Sequence, residues 1–211
     1  MRSNPPPEPQ INRIYKSIFC AILIAPSLPA NAQCAPNPPN TGLGSCIDFM
    51  AATSARVTAQ INKLGYQFSY AAGSYIDYKE KTINIKSYDC NNSDTTGLYD
   101  RLSLLAHELG HAEYGVKQDT TSRDAYIKSW CESEGYAVIK NIRTRSETLK
   151  CSRNSVDIGL AAANVAELLN INSAGRESIQ KTGEAFCKSN FTSTTNQSYI
   201  DYYVSYYDAH Y

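Results

Sequence analysis

Two histidines four residues apart with a glutamate directly after the first, His107-Glu108-Leu109-Gly110-His111, constrain this 211-residue chain more than any other feature. On an α-helix, residues four apart lie one above the other on the same face, so the spacing has a chemical use only if this stretch is helical. Both imidazoles can then address one ion. Glu108, turned by about a third of a turn, stands beside that ion, where its carboxylate can take a proton from a bound water. Leu98, Leu102, Leu105, Leu109 and Ala112 form the apolar stripe that would anchor the helix, with His107, Glu108 and His111 on its flank. Asp94, Thr95 and Thr96 offer N-caps, and Gly115 offers a stop. The chain has only three histidines, and two of them fall at this spacing, so the expectation is a Zn2+ site.

A third ligand is expected on the next helix. A capping-box-like Thr121-x-x-Asp124 precedes a helical pattern that continues through Arg143. On that helix Glu134 falls in the middle of an apolar stripe of Trp130, Cys131, Ala137 and Val138, whereas Glu132 falls on the polar side with Lys128 and Tyr136. An ionised carboxylate in a buried stripe needs a partner, either a metal ion or a buried Arg or Lys. Glu134 is therefore the expected third ligand, and Glu132 the reserve. Three protein ligands leave a fourth zinc position for water.

The start of the chain reads as a targeting segment. Arg13 and Lys16 precede the apolar run from Ser17 to Ala25, which is too short to span a bilayer, and Ala30-Asn31-Ala32 is a cleavage signal. Residues 1–32 are thus expected to be a signal peptide and 33–211 the exported domain, secreted or periplasmic, with no stable membrane insertion after cleavage. Of 20 basic and 20 acidic residues, Arg2, Arg13, Lys16 and Glu8 leave with the leader, so 17 remain against 19. A surface so close to neutral gives no reason to expect nucleic acid as a partner. Six of the seven cysteines stay: Cys34, Cys46, Cys90, Cys131, Cys151 and Cys187. An even number in an exported chain implies up to three disulfides, and none of the spacings is the C-x-x-C of a cysteine zinc site.

The remaining segments frame the expected site. Residues 33–45 are rich in Pro and Gly and read as an irregular arm tied down by Cys34 and Cys46. One helix is expected from an N-cap at Ser45 through Ile47, Met50, Val57, Ile61 and Leu64 to a stop at Gly65. Residues 66–70 and 81–86 alternate apolar and polar, the signature of two half-buried strands with a turn at Gly73, and a small antiparallel sheet is expected. An edge strand so close to the His-Glu helix could hydrogen-bond an extended peptide across the metal. Further helices are expected over 155–170 and 176–188. In the tyrosine-rich 198–211, Tyr199, Tyr203 and Tyr206 share a face with His210 one turn beyond, so His210 or one of these tyrosines is a candidate catalytic donor to an oxyanion.

The run Leu104-Leu-Ala-His107-Glu-Leu-Gly-His111, after Thr82-Ile-Asn-Ile and before Glu132-Ser-Glu134-Gly-Tyr-Ala137, resembles small gluzincin metallopeptidases, ImmA/IrrE-like in the HELGH region. The resemblance covers about sixty residues, from Lys81 to Lys140, and departs from the family's second motif at Gly135 and Tyr136. It implies an α+β, minimal zincin-like domain that is mostly helical. It also implies His107, His111 and Glu134 as zinc ligands, Glu108 as general base, and a protein or peptide substrate. A zinc amidase acting on peptidoglycan peptides, a secreted toxin directed at a competitor or host, and a non-catalytic zinc-stabilised binding protein share these residues. A closed fourth position, filled for instance by His210, would mark the last.

Overall fold

The computed structural model describes residues 34–35, 37–93, 95–173 and 178–211, which fall in one compact unit, 31–211. The expected signal peptide, 1–32, and the cap candidate Asp94 lie outside the described residues. The fold is α+β: seven helices and one three-stranded sheet among the described residues.

The helix expected over 45–64 is two. Helix α1 spans Ser45–Ala51 and α2 spans Ala55–Leu64. Ser45 is the first residue of α1 rather than its cap. Ser54 breaks the run: it adopts an extended conformation, and its hydroxyl accepts from Val57 N at 3.2 Å to cap α2. Gly65 closes α2 in the left-handed region.

Strands β1 (Gln67–Ala71), β2 (Tyr75–Asp77) and β3 (Thr82–Lys86) lie in the order β1-β3-β2. The expected antiparallel pairing is corrected here. The two alternating segments, β1 and β3, are parallel neighbours, and only β2 pairs antiparallel, with β3. The cause is the short strand that the alternation pattern did not reveal. The chain reverses once after β1 and again at a tight turn after β2, where the Asp77 carboxylate accepts from the backbone of Lys79 and Glu80. Two reversals return β3 to the direction of β1. Ile83 and Ile85 on β3 are fully buried, and β2 is left as an edge.

Helix α3 (Thr95–Tyr114) runs unbroken, with Leu102, Leu105 and Leu109 fully buried against the sheet, α1 and α2. Helix α4 (Arg123–Cys151) runs on past the expected end at Arg143. Its cap is Ser122, whose hydroxyl accepts from Ala125 N; Thr121 bonds to Asp119 instead. The helix expected over 155–170 shrinks to α5 (Val165–Ile171). Upstream of it, side-chain amides take the place of helical carbonyls: Asn141 Oδ1 accepts from Ala161 N at 2.8 Å and Asn190 Oδ1 from Ala163 N at 2.5 Å. Helices α6 (Ile179–Ser189) and α7 (Tyr199–His210) complete the domain.

Helix α4 is the hub, and small residues set its distances. A Cβ on Gly110 of α3 would stand 2.6 Å from Ala137 Cα, and one on Gly135 of α4 would stand 2.1 Å from Ile179 O of α6. Hydrogen is the only side chain both crossings admit. Three disulfides staple the arrangement: Cys34–Cys151, Cys46–Cys90 and Cys131–Cys187. They are the mark of an oxidising environment. Among the described residues no helix is long and apolar enough to cross a membrane.

Candidate metal centre

The close approach of α3 and α4 at Gly110 and Ala137 brings three side chains to one point. His107 and His111 project from adjacent turns of α3, and Glu134 comes from α4, one turn before Ala137. The Nε2 atoms of the two histidines lie 3.1 Å apart, Glu134 Oε2 is 3.1 Å from His107 Nε2, and it is 3.3 Å from His111 Nε2. All three residues are buried, and together they form a group that could hold a metal ion.

Surrounding groups fix the three donors. Glu134 turns one oxygen to the histidines, and the other accepts from Tyr203 Oη at 2.8 Å. Ser133 Oγ lies 2.9 Å from His111 Nδ1. That contact can hold the ring proton on Nδ1 and leave Nε2 free to ligate. His107 is stacked on Phe186 of α6, with 5.5 Å between ring centroids. Its Nδ1 is buried and has no hydrogen-bond partner among the described residues.

The two carboxylates of the site respond to burial in opposite ways. Desolvation raises the Glu108 carboxyl to about 7, with His107 opposing and Glu134 reinforcing the rise. Desolvation acts on Glu134 too, but the attraction of His111 and the hydrogen bonds from both imidazoles outweigh it and hold that carboxyl well below the usual range. Burial and the charge of Glu134 push the Tyr203 and Tyr199 phenols well above their ordinary value, so both stay protonated donors.

A cleft opens onto this group. On one side a cavity of about 280 Å3 is walled by Tyr75, Ile76 and Tyr78 from the edge strand and its turn, and by Tyr126, Trp130 and Tyr202. On the other side lies a chamber of about 430 Å3. The two share Ser74, His107, Glu108 and Tyr199, so they meet at Glu108.

The structure thus brings His107, Glu108, His111, Glu134, Tyr199 and Tyr203 together, and Tyr206 joins the wall of the first cavity. His210 is not brought in. It is exposed, stacked on Tyr206 at 4.0 Å, with Nδ1 against the Tyr206 carbonyl. Its position on α7, one turn past Tyr206, carries it beyond the cleft. Glu132 faces a different groove, beside Lys128 and Lys188. Ser133, Tyr78 and Phe186 were not singled out from sequence. Ser133 could have been, as the neighbour of a ligand; Tyr78 and Phe186 come from segments whose distance in sequence gives no signal. Comparison with protein-family models, with curated proteins and with solved structures finds no significant match to this chain.

Proposed function

We propose that the chain is an exported, zincin-like zinc peptidase that hydrolyses peptide bonds with Glu108 as general base. The observation that carries this reading is the triangle of His107 Nε2, His111 Nε2 and Glu134 Oε2 with Glu108 beside it. Zinc sits about 2.0 Å from such donors in a tetrahedron, whose edges are then about 3.3 Å. The three sides here, 3.1, 3.1 and 3.3 Å, match that requirement. The donor set of two imidazoles and one carboxylate is among those that leave a fourth position open for catalysis.

What zinc supplies when bound is Lewis acidity toward a carbonyl and a lowered pKa for water. The chain's own residues do the rest. Glu108 accepts the proton of the attacking water and returns it to the departing amine. Tyr203 and Ser133 hold Glu134 and His111 in place. Tyr199, which lines both halves of the cleft beside Glu108, is the phenol this reading assigns to donate to the carbonyl oxygen as negative charge develops on it. Strand β2 is an edge of the sheet beside the site, where an extended peptide could add to it. The three disulfides support export. His210, the side chain named above as one that could close the fourth position, is exposed and does not reach the site.

The test compares the native protein with Glu108→Gln for zinc content and for hydrolysis of an unfolded protein substrate. Both are expected to hold one equivalent of zinc, with kcat/KM in the variant lower by about a hundredfold or more. Absence of zinc from both would sink the reading, and equal cleavage by both would remove Glu108 from it.

A further inference from the structure

The cleft has two halves of different chemistry and one shared property. The half beside β2 is walled by tyrosines and the single tryptophan of the chain, Trp130. The chamber beyond Glu108 is lined by Leu104, Leu160, Ala161, Ala162, Phe186 and Phe191. Among the described residues that line either half there is no Lys or Arg. The charged groups are Glu108, Glu134 and, in the chamber, Asp100. A free C-terminal carboxylate, or a peptide rich in acidic side chains, would find no Lys or Arg to pair with among the described residues lining either half.

Large apolar rings stand in solvent at both mouths. Phe191 is 62% exposed, Tyr75 43% and Tyr206 39%, and all three line the cleft. Exposed aromatics grouped around a cavity, rather than scattered, mark a surface that is covered by a ligand. The chamber is also built rather than open by chance. Its wall at 161–163 is held by the side chains of Asn141 and Asn190, which accept from the backbone of Ala161 and Ala163. Alanines at these positions leave the space that a larger side chain would fill, and a preformed wall reduces the entropy cost of filling it.

We propose that the cleft binds an internal, uncharged stretch of extended polypeptide, and that the chamber of Leu104, Leu160, Ala162, Phe186 and Phe191 takes a bulky apolar side chain next to the scissile bond. The substrate class is then unfolded or loop segments carrying Leu, Phe or similar residues, cut within the chain rather than at its end. This assignment rests on the peptidase reading for what happens to the bound chain; the binding itself is measured without hydrolysis.

Trp130 provides the probe, since its emission can come from nowhere else in the chain. Zinc-loaded Glu108→Gln protein is titrated with acetylated, amidated hexapeptides that differ only in the central pair: Leu-Phe, Ala-Ala or Glu-Glu. The Leu-Phe peptide is expected to shift the emission saturably, the Ala-Ala peptide to bind about tenfold or more weakly, and the Glu-Glu peptide not to saturate. Ala163→Phe, at an exposed position on the chamber wall, should weaken the Leu-Phe peptide about tenfold and leave the Ala-Ala peptide unchanged. Phe191→Ala, also exposed, should weaken it in the same selective way, and carries the test if the first variant is misfolded by circular dichroism. Equal affinity for the Glu-Glu peptide, or an unchanged ranking in the correctly folded variants, would overturn the assignment. Native zinc-loaded protein that binds the Leu-Phe peptide and leaves it intact would remove the peptidase reading while the cleft assignment stands.

Discussion

Helices α3 and α4 are joined by a carboxylate on each of two faces, and the two junctions are built on different terms. On the face away from the cleft, Glu113 of α3 accepts from Lys140 Nζ at 2.8 Å and Tyr136 Oη at 3.0 Å, both on α4, and from the Gln60 amide of α2. That junction contains its own cation. On the cleft face, Glu134 of α4 meets two imidazoles of α3, with Glu108 beside them and no Lys or Arg among the described residues lining the cleft. Two buried carboxylates without a fixed positive charge are costly. The first junction contains its own cation; the second could hold a metal ion. On the function proposed above, the same pair of helices carries one contact for stability and one for chemistry.

The largest effect should come from the residue both junctions depend on. Gly110 sets the separation of α3 and α4, and any Cβ there meets the backbone of Ala137. Gly110→Val is expected to cost about 3 kcal/mol or more, which in a domain of this size lowers the melting temperature by roughly 6–12 °C. Both junctions should fail together, so zinc binding and thermal stability are lost in one variant. A protein that melts as the native one does and still holds zinc would show that the helix spacing is not what assembles the site.

Paired substitutions then separate the faces. Glu134→Gln removes a ligand and a buried charge. It should abolish stoichiometric zinc binding, and with it any dependence of stability on added metal. Glu113→Gln should keep one equivalent of zinc and the stability gained from it, while lowering stability by about 1 kcal/mol, a value reduced for partial exposure of the Glu113 side chain. Zinc titration and urea unfolding of the two variants, each with and without metal, give four numbers. If both lose stability and both keep the metal, the cleft face is another structural contact and the distinction between the junctions collapses.

Sequence carried the cleft face well and the other hardly at all, for reasons that lie in particular residues. His107 and His111 were legible because one helix supplies both, and a spacing of four has one geometric meaning. Glu134 was legible because a carboxylate in the middle of an apolar stripe violates the pattern around it. Glu113 follows the rule for a charged residue at the boundary of a helix, so nothing singled it out. Gly135 was a departure from the second motif of the family the chain resembles, and the structure supplies its cause: α6 crosses α4 there, with Gly183 as the facing residue. The parallel pairing of β1 with β3 was invisible because β2 is three residues long, too short for alternation to show. His210 failed for a geometric reason. A shared helical face groups Tyr199, Tyr203 and Tyr206 toward the site, but one further turn of α7 passes its edge.

The smallest effect is in the acid range, and it tests the self-contained junction alone. Burial would raise the Glu113 carboxyl, but hydrogen bonds from Lys140, Gln60 and Tyr136 and the charge of Lys140 outweigh it and hold the group below its ordinary value. In the unfolded chain that value is restored, so the unfolded state takes up the proton first as pH falls. The contribution of Glu113 is therefore fully present above the ordinary carboxylate range and is lost as pH drops through the folded value. Glutamine at this position has no proton to gain. Metal-free native protein and metal-free Glu113→Gln should then differ in urea midpoint at neutral pH and converge as the solution is acidified, the native curve falling more steeply. Working without metal keeps every other group the same in both proteins, so what they contribute cancels in the difference. Curves that stay parallel into acid would mean that Lys140 stabilises the helix pair by packing its stem rather than by meeting the Glu113 charge.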